Sequence, residues 1–358
     1  MTRHQYYHRP SAGPAGGRSR PGTRPSTHTD QYDAQGVITS RPNALVVQRI
    51  RDIQNDDDLR CGYKRMHAQL QLQGFKVNAK KVYRLMYESD LLLERVRAAR
   101  GPYVKHRCAR PEGPLTLLEM DIKMFWVEEH KRHAYVLTII DTFTRVTLNW
   151  KVGYSMKWQA VRTAWEEVIE EHLQPADMLA KGLHIEIRSD NGPQFLAGKL
   201  RDFFEDNELG QVFTHPYTPQ ENGHVESFHS IISRALAYDR FYTLEQLDQR
   251  LLLFYEKYNN SRVHSATAML PPQLFWTAWE TGQITSRKGK WDKLIFKLEV
   301  PRYLLKSTLG TEAEVRGAPK IDDPHEDRKA RVYNEMHRSS RFDDFFDHGP
   351  CVTTAITT

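Results

Sequence analysis

Residues 117–152, LLEMDIKMFWVEEHKRHAYVLTIIDTFTRVTLNWKV, decide the fold because they contain three consecutive runs rich in β-branched and aromatic side chains. The runs cover residues 117–125, 133–144 and 145–152, and polar turn residues lie between them. Such runs are typical of strands, and short connections favour antiparallel neighbours. The stretch therefore predicts three consecutive antiparallel strands.

Helices and strands alternate after this stretch, as judged by the period of the apolar residues. The predicted elements are a helix at about 157–172, a strand at 184–190, a helix at 197–209, a strand at 211–215 and a long helix at about 220–238. A further helix begins at Thr243, which forms a capping-box pattern with Gln246, and ends near residue 260. The order βββαβαβα predicts an α/β domain over residues 114–280.

The region before this domain divides into three segments. Residues 1–40 are rich in Pro, Gly, Ser, Thr and Arg and predict a disordered basic tail. Residues 41–93 show helical periodicity and predict a small domain of three helices, with Gly74 ending the second helix and Asn78 capping the third. Residues 94–113 form a linker, in which residues 95–110 contain six basic residues and no acidic one.

The charge is distributed unevenly along the chain. Residues 1–110 contain 21 Lys and Arg against 9 Asp and Glu, a net +12, and the remainder contains 30 against 36, a net −6. The basic half favours a polyanionic partner, of which nucleic acid is the commonest, although a solvated basic surface is the alternative. The third helix fits both a helix against DNA phosphates and the charged face of a bundle; its basic residues are Lys80, Lys81 and Arg84.

Several classes of protein are not favoured. No run approaches the ~18 apolar residues of a membrane helix, and no apolar stretch follows the first positive charges. Cys61, Cys108 and Cys351 stand far apart without metal-ligand spacing, so neither a disulfide framework nor a structural zinc site is predicted. We expect a cytoplasmic protein with reduced thiols.

Three acidic residues occupy distinctive places in the predicted fold. Asp121 lies in the middle of the first strand, Asp190 ends the fourth strand just before Asn191 and Gly192, and Glu226 lies inside the long helix. Taken singly, each has an ordinary structural interpretation: an edge-strand residue, a turn residue and a solvated helix residue.

A shared site gives these carboxylates a chemical role. A mid-strand carboxylate is costly without a partner, and three facing carboxylates repel one another unless a divalent cation keeps them ionised. Oxygen ligands favour Mg²⁺ or Mn²⁺ over Zn²⁺, and two such ions can stabilise the attacking and leaving oxygens at a phosphodiester. The three residues are therefore candidate ligands for two ions.

The arrangement resembles the retroviral-integrase-like core of insertion-sequence transposases, which are Asp-Asp-Glu recombinases with a ribonuclease-H-like fold. Thirty-five residues separate Asp190 from Glu226, a spacing typical of that superfamily, and SDNGPQF and HPYTPQENGHVESF surround the two acids. YNNSRVHSATAMLPP resembles the closing motif of the core, and RCGYKRMHAQLQLQGFKVNAKKVYRLM is similar to the helical DNA-binding segment of second-frame products of two-frame elements. The resemblance covers about residues 42–280.

The resemblance implies a specific fold, activity and set of partners. It implies a mixed five-stranded sheet with helices, preceded by a helix-turn-helix-like domain, and metal-dependent cleavage and strand transfer of double-stranded DNA by two Mg²⁺ or Mn²⁺ ions. It also implies a homodimer or larger assembly near the nucleoid, and a partner protein from an upstream frame. The expected DNA contacts are Lys64, Arg65, Lys80, Lys81, Arg84, Arg95, Arg97, Arg100, Asn191, Gln194, Tyr217, Gln220, Asn222, Arg262 and His264.

The chain departs from the superfamily pattern at a few positions. Leu118 stands where Trp is usual, Val263 replaces the Pro of the RPH element, and Ser233 occupies a position that is often basic. These departures affect substrate contacts and leave the three acids intact. Asp141 is expected to be structural, while His215 and His229 have both positioning and surface interpretations.

Three alternatives stay open. The first is a catalytically inactive DNA-binding remnant or competitor of such an element, and the intact Asp121, Asp190 and Glu226 count against it. A retroelement integrase should have a zinc-binding His-His-Cys-Cys module upstream, which is absent from this sequence. A ribonuclease H leaves the upstream helices and the YNNSRVH segment unexplained. Residues 281–358 are an extension of unknown fold, for which a small β-rich DNA-binding module is the hypothesis.

Overall fold

The computed structural model describes residues 25–94, 111–179, 184–214, 222–289, 294–305 and 307–309. Its first element is an antiparallel hairpin of strands β1 (His28–Tyr32) and β2 (Ile38–Pro42). The predicted disordered tail therefore needs correction from His28 onward. The sequence missed the hairpin because β2 is exposed at every position and has no apolar alternation.

The predicted helical domain consists of α1 (Asn43–Asn55), α2 (Tyr63–Leu72) and α3 (Ala79–Glu88) around a small apolar core. Gly74 follows α2 with φ of +89°, which favours glycine, and its carbonyl accepts a hydrogen bond from the Tyr32 amide at 2.9 Å. The Asn78 side chain accepts from the Lys81 amide at 2.8 Å. The predicted end of the second helix and cap of the third are both confirmed.

A mixed five-stranded sheet forms the centre of the second domain, as predicted. Its strands are β3 (Leu117–Val127), β4 (Arg132–Asp141), β5 (Thr147–Gly153), β6 (Ile185–Ser189) and β7 (Leu209–Phe213). The spatial order is β5-β4-β3-β6-β7, with antiparallel pairing among the first three strands along the chain and parallel pairing of β3 with β6 and of β6 with β7. β3 is thus the central strand.

Helices cover both faces of this sheet. One face packs against α4 (Trp158–Val168), its π-helical continuation (Ile169–Leu173) and α5 (Gly198–Asp206). The other packs against α6 (Gly223–Ala235) and α7 (Leu244–Asn260). Trp165 is fully buried on the first face, and Trp150 stacks on Tyr255 on the second, so both contribute to packing as expected.

The remaining described elements follow α7. They are α8 (Pro272–Glu280) and an antiparallel hairpin of β8 (Ile284–Lys288) and β9 (Leu294–Leu298). Phe296 of β9 packs on Phe143 and Phe275, with ring centroids 5.2 and 4.9 Å apart. The same apolar cluster includes Ala68 and Leu72 of α2, so the extension helps to join the helical domain to the sheet domain.

Two further sequence predictions concern local features. Thr243 accepts a hydrogen bond from the Gln246 amide at 3.3 Å, which confirms it as the cap of α7. Cys61 is a free, buried thiol, while Cys108 and Cys351 lie outside the described residues. Within the described part of the chain, no helix is long and apolar enough to cross a membrane.

Candidate active site

Asp121 faces the helix α6 side of the central strand. Along β3, Leu118 and Met120 point into the core beneath α4 and α5. Side chains alternate between the two faces along a strand, so Glu119 and Asp121 point to the opposite face. The Asp121 side chain is 22% exposed, and its Oδ1 accepts a hydrogen bond from the Ile122 amide at 2.7 Å. Strand alternation therefore places this carboxylate outside the apolar core that its sequence neighbours fill.

Asp190 stands directly after β6, in the loop at the carboxyl end of that strand. Its Oδ1 accepts from the Gly192 amide at 3.0 Å, and the Asn191 side chain donates to the Thr214 carbonyl at 2.9 Å. A Cβ atom at Gly192 would clash with the Gln194 side chain and lie 3.1 Å from Asp190 Oδ1. The loop is thus built compactly around an exposed carboxylate.

Glu226 is an exposed residue in the first turn of α6. Partial burial raises the pKa of the Glu226 carboxyl, and the charges of Asp121 and Glu119 raise it further, while His229 lowers it. Partial burial also raises the pKa of Asp190, the Gly192 hydrogen bond opposes this, and Asp121 adds to the rise. Asp121 therefore repels both other candidate ligands, as expected of acids that share a site.

The three carboxylates are not drawn together into a closed metal cage. Among the residues that the structure describes, no group of three His, Cys, Asp or Glu side chains lies close enough to hold a metal ion. Residues 215–221, which immediately precede Asn222 and α6, lie outside that set. The fit to a divalent cation rests on the donor chemistry, because a hard cation would stabilise an oxygen-only set in which Asp121 raises the pKa of the other two acids.

His229 lies one helical turn after Glu226 and faces Asp121. Its Nδ1 is 3.3 Å from Asp121 Oδ2, and its Nε2 is buried without a hydrogen-bond partner in the structure. Of the two interpretations of His229 drawn from the sequence, the contact favours positioning within the site over a surface residue.

Glu119 is a residue that sequence reasoning missed. It lies two positions before Asp121 on the same face of β3, and it is fully buried. Its Oε2 accepts hydrogen bonds from the backbone amides of His224 and Val225 at 2.9 and 2.8 Å, and its Oε1 is 2.9 Å from His224 Nδ1. A second acid at a buried position of a central strand was the available signal in the sequence.

Asp141 has the structural role expected of it. The side chain is fully buried and accepts hydrogen bonds from the amides of Leu115, Phe143 and Thr144 and from the Thr144 hydroxyl. Burial raises its pKa, and these hydrogen bonds oppose the rise. Its lone pairs are committed to the turn after β4.

The predicted DNA contacts on the helical domain are only partly free. Lys64 and Lys80 are exposed and Arg65 is half-buried. Lys81 Nζ donates to the His28 carbonyl at 2.6 Å, and Arg84 pairs with Glu88 at 3.6 Å. Predicted contacts that lie outside the described residues are Arg95, Arg97, Arg100, Tyr217 and Gln220, together with the positioning candidate His215.

Two predicted DNA contacts are buried in the structure and need correction. Asn222 is 5% exposed, and its side chain donates to the Met120 carbonyl at 3.4 Å. Arg262 is also 5% exposed, and its guanidinium donates to the Asp58 carbonyl. Each of these side chains connects two parts of the fold. A buried side chain cannot reach a DNA phosphate without rearrangement, so the structure does not favour these two contacts.

His264 lies in the same interior region as Arg262. Its ring packs against Tyr258 with centroids 4.7 Å apart and T-shaped geometry. Burial lowers the pKa of His264 to about 3, and the charges of Arg262, Arg65 and Arg145 contribute to the fall. The imidazole is therefore neutral near pH 7, which does not favour the predicted contact with a phosphate.

Asp58 explains why basic residues collect at this junction. Its side chain is 4% exposed, and its two oxygens accept from the Arg250 guanidinium at 2.6 and 3.2 Å. Lys257 lies 2.8 Å from Asp56 and 3.4 Å from Asp58, and Gln69 donates to the Ser261 carbonyl at 2.7 Å. These contacts hold the helical domain against α7 and the segment after it.

Comparison with protein families assigns three consecutive regions of the chain. The model described as "HTH-like domain" matches residues 41–99, and two models described as "Integrase core domain" match residues 111–219 and 207–272. The matches include Asp121, Asp190 and Glu226, and together they extend over most of the described chain.

Curated relatives of the chain include several insertion-element proteins. A protein of insertion element IS476 of Xanthomonas euvesicatoria is 25% identical over 63% of this chain and 62% of its own length. A protein of IS407 of Burkholderia multivorans is 25% identical over 68% of this chain and 84% of its own length. The putative transposase InsK of IS150 of Escherichia coli is 25% identical over 68% of this chain and 87% of its own length.

Solved structures with similar folds are more distant. The catalytic core domain of BIV integrase is 19% identical with a TM-score of 0.34, over 47% of this chain and 97% of that one. A chain of the simian T-cell lymphotropic virus intasome is 14% identical with a TM-score of 0.40, over 60% of this chain and 70% of that one.

The consecutive family matches agree with the mixed five-stranded sheet. The inactive remnant is the less favoured alternative, since the core is matched throughout. The chain therefore contains an integrase core domain preceded by an HTH-like domain, and its similarity to insertion-element proteins supports a place among the insertion-sequence transposases of the integrase superfamily.

Proposed function

We propose that this chain cleaves DNA strands at the ends of an insertion sequence and joins them to a target in a reaction that depends on a divalent cation. The observation that carries the proposal is the electrostatic coupling of Asp121 to both Asp190 and Glu226. Asp121 raises the pKa of both Asp190 and Glu226, and a bound cation would relieve this repulsion.

Asp121, Asp190 and Glu226 would hold the cations. Two Mg²⁺ or Mn²⁺ ions, when bound, supply charge stabilisation for the attacking and leaving oxygens of a phosphodiester. In the first step, the oxygen of a water molecule bonds to phosphorus and the 3′-oxygen leaves as a free hydroxyl. In the second step, that 3′-oxygen bonds to a target phosphorus, and a target 3′-oxygen leaves with a proton.

The residues around the acids orient them. Asp121 is held by the Ile122 amide and faces His229, and Asp190 is held by the Gly192 amide. Fixed carboxylates lose little freedom on binding a cation and substrate, which is how positioning contributes to such displacements. Both steps are direct displacements at phosphorus, so no covalent enzyme intermediate and no Ser or Tyr nucleophile are needed.

DNA is the proposed partner of the helical domain and of the rim of the site. Exposed Lys64 and Lys80 on the helical domain, and Asn191 and Gln194 in the loop after β6, are the described residues best placed for backbone contacts. Arg95, Arg97 and Arg100 remain predicted contacts. Assembly of at least two copies, an upstream-frame partner and a nucleoid-associated cytoplasmic location are proposed with this function.

The test separates chemistry from binding. The full chain is incubated with duplex DNA from the ends of its own element, with Mg²⁺ or EDTA, and cleavage, joining and binding are measured. We expect Glu226→Ala to abolish cleavage and joining while its affinity for DNA stays within about twofold of the parent chain, because Glu226 would hold the cation and lies on α6, outside the helical domain. Mg²⁺-dependent strand transfer by Glu226→Ala would refute the proposal.

A further inference from the structure

The helix that carries Glu226 lacks a cap of its own. Asn222 precedes α6, and its side chain makes no capping hydrogen bond there. The first amides of a helix have no partner within the helix and need an acceptor from elsewhere. At α6, the acceptor comes from another element, because Glu119 of β3 accepts hydrogen bonds from the amides of His224 and Val225.

The position of Glu119 makes this cap unusual. A carboxylate with no exposed surface is expensive to bury unless hydrogen bonds and nearby positive charge offset the cost. Glu119 accepts hydrogen bonds from two backbone amides and contacts the His224 ring. It lies at the N-terminus of α6, the positive end of the helix dipole. It also pairs in register with Arg188 of β6. The contacts with His224 and Val225 fix α6 to the central strand.

Glu226 lies between two points at which β3 holds α6. Glu119 binds the helix at His224 and Val225, and Asp121 faces it at His229. Glu119 and Asp121 are two residues apart on one face of β3, so their spacing along the strand is fixed by the strand itself. Two attachments along one side of a helix determine both its position along its axis and its rotation.

We propose that Glu119 is a positioning residue for Glu226. By capping α6 from β3, Glu119 fixes the position of α6 along its axis and its rotation about that axis, and therefore the position of Glu226 relative to Asp121. Glu119 itself does not contact the DNA, because it is fully buried. This inference rests on the proposed function for its catalytic consequence, whereas the cap can be measured independently of activity.

The experiment compares Glu119→Ala, Glu119→Gln and the parent chain, all as the full chain. Thr243→Ala is the matched control, because it removes the cap of the neighbouring helix α7, which carries none of the three acids. Thermal denaturation first establishes that each variant is folded. Amide hydrogen exchange and Mg²⁺-dependent strand transfer are then measured on the same preparations.

Glu119→Ala should expose the amides of His224 and Val225 to exchange at least about tenfold faster, because it removes the acceptor of both hydrogen bonds. Strand transfer at saturating Mg²⁺ should fall about 100-fold, as expected for a small displacement of a catalytic group. The Mg²⁺ concentration for half-maximal rate should also rise. Glu119→Gln keeps one acceptor oxygen and should give intermediate values for all three quantities.

Thr243→Ala should keep the rate and the Mg²⁺ dependence of the parent chain. Unchanged exchange at His224 and Val225 in Glu119→Ala would overturn the inference whether or not the parent chain cleaves DNA. An equal loss of activity in Thr243→Ala would also overturn it, because the effect would then be one of general stability. Faster exchange in a chain that has no cleavage activity would support the cap and refute the proposed function instead.

Discussion

At the scale of single residues, the same side-chain type has different roles according to burial. Asp141 is fully buried, and its oxygens accept hydrogen bonds within a turn. The Asp121 side chain, in contrast, faces His229 and is partly exposed to solvent. Asp190 and Glu226 are exposed. The acids proposed to bind cations are therefore the ones whose lone pairs the fold has left available.

His264 provides a pH-dependent prediction at this scale. The folded state keeps the imidazole neutral down to a pKa of about 3, whereas the unfolded chain protonates it near its ordinary pKa of 6.5. The unfolded state binds the extra proton between these values, so stability is lost as the pH falls from 6.5 towards 3.

His264→Phe should remove this contribution while retaining a ring against Tyr258. Denaturant unfolding is measured at several pH values between 6.5 and 4. The free energy of unfolding should depend on pH less steeply in the variant, by up to about 1.4 kcal/mol per pH unit. Identical slopes for the two proteins would show that His264 titrates normally in the fold.

At the scale of elements, caps and strand faces explain how the helices are positioned. Asn78 and Thr243 cap the helices that directly follow them, α3 and α7. Helix α6 is instead capped by Glu119, which lies on strand β3. A local cap can be predicted from sequence, since its donor and acceptor are three residues apart. The cap of α6 cannot, because residues 119 and 224 meet only after the sheet has formed.

Asn78→Ala tests the local cap of α3. The substitution removes the acceptor for the Lys81 amide and should lower the free energy of unfolding by about 1 kcal/mol. Asn78→Asp is the control, because it keeps an acceptor oxygen at the same place. Denaturant titration compares the three proteins, and equal stability of Asn78→Ala and the parent chain would contradict the assigned role.

The sequence predicted the elements whose apolar pattern is strong. The strands of the central sheet and helices α1 to α7 lie where the periodicity places them, to within a few residues. The hairpin of β1 and β2 was missed because its polar, exposed strands resemble a loop. Arg262 was misassigned as a DNA contact because its basic side chain is buried by a tertiary contact with the Asp58 loop, which no local pattern encodes.

At the scale of the whole molecule, Asp58 connects the HTH-like domain to the integrase core domain. It is buried beneath Arg250, and the loop that contains it also receives Lys257 and Arg262. Ion pairs at a surface contribute little to folding stability. A buried carboxylate that accepts two hydrogen bonds from a guanidinium is different, because removal of either partner leaves the charge of the other uncompensated. The relative position of the helical domain and the core therefore depends on this loop.

Asp58→Asn should weaken that connection. The substitution removes one of the two carboxylates that pair with Arg250, the other being Asp239, and should reduce the free energy of unfolding by roughly 2–3 kcal/mol. Asp57→Asn, at the exposed neighbouring residue, is the matched control and should change stability by less than about 0.5 kcal/mol. Equal effects of the two substitutions, measured by denaturant unfolding, would show that the Asp58 contacts do not hold the domains together.

The most direct test of the central claim is strand transfer by isosteric variants of the three acids. Asp121→Asn, Asp190→Asn and Glu226→Gln each remove one charge, and Glu245→Gln removes an exposed charge from the first turn of α7 as a control. The account predicts Mg²⁺-dependent joining of element ends by the parent chain and Glu245→Gln, and a loss of at least about 1000-fold in each of the other three. Near-normal joining by any one of those three would contradict it.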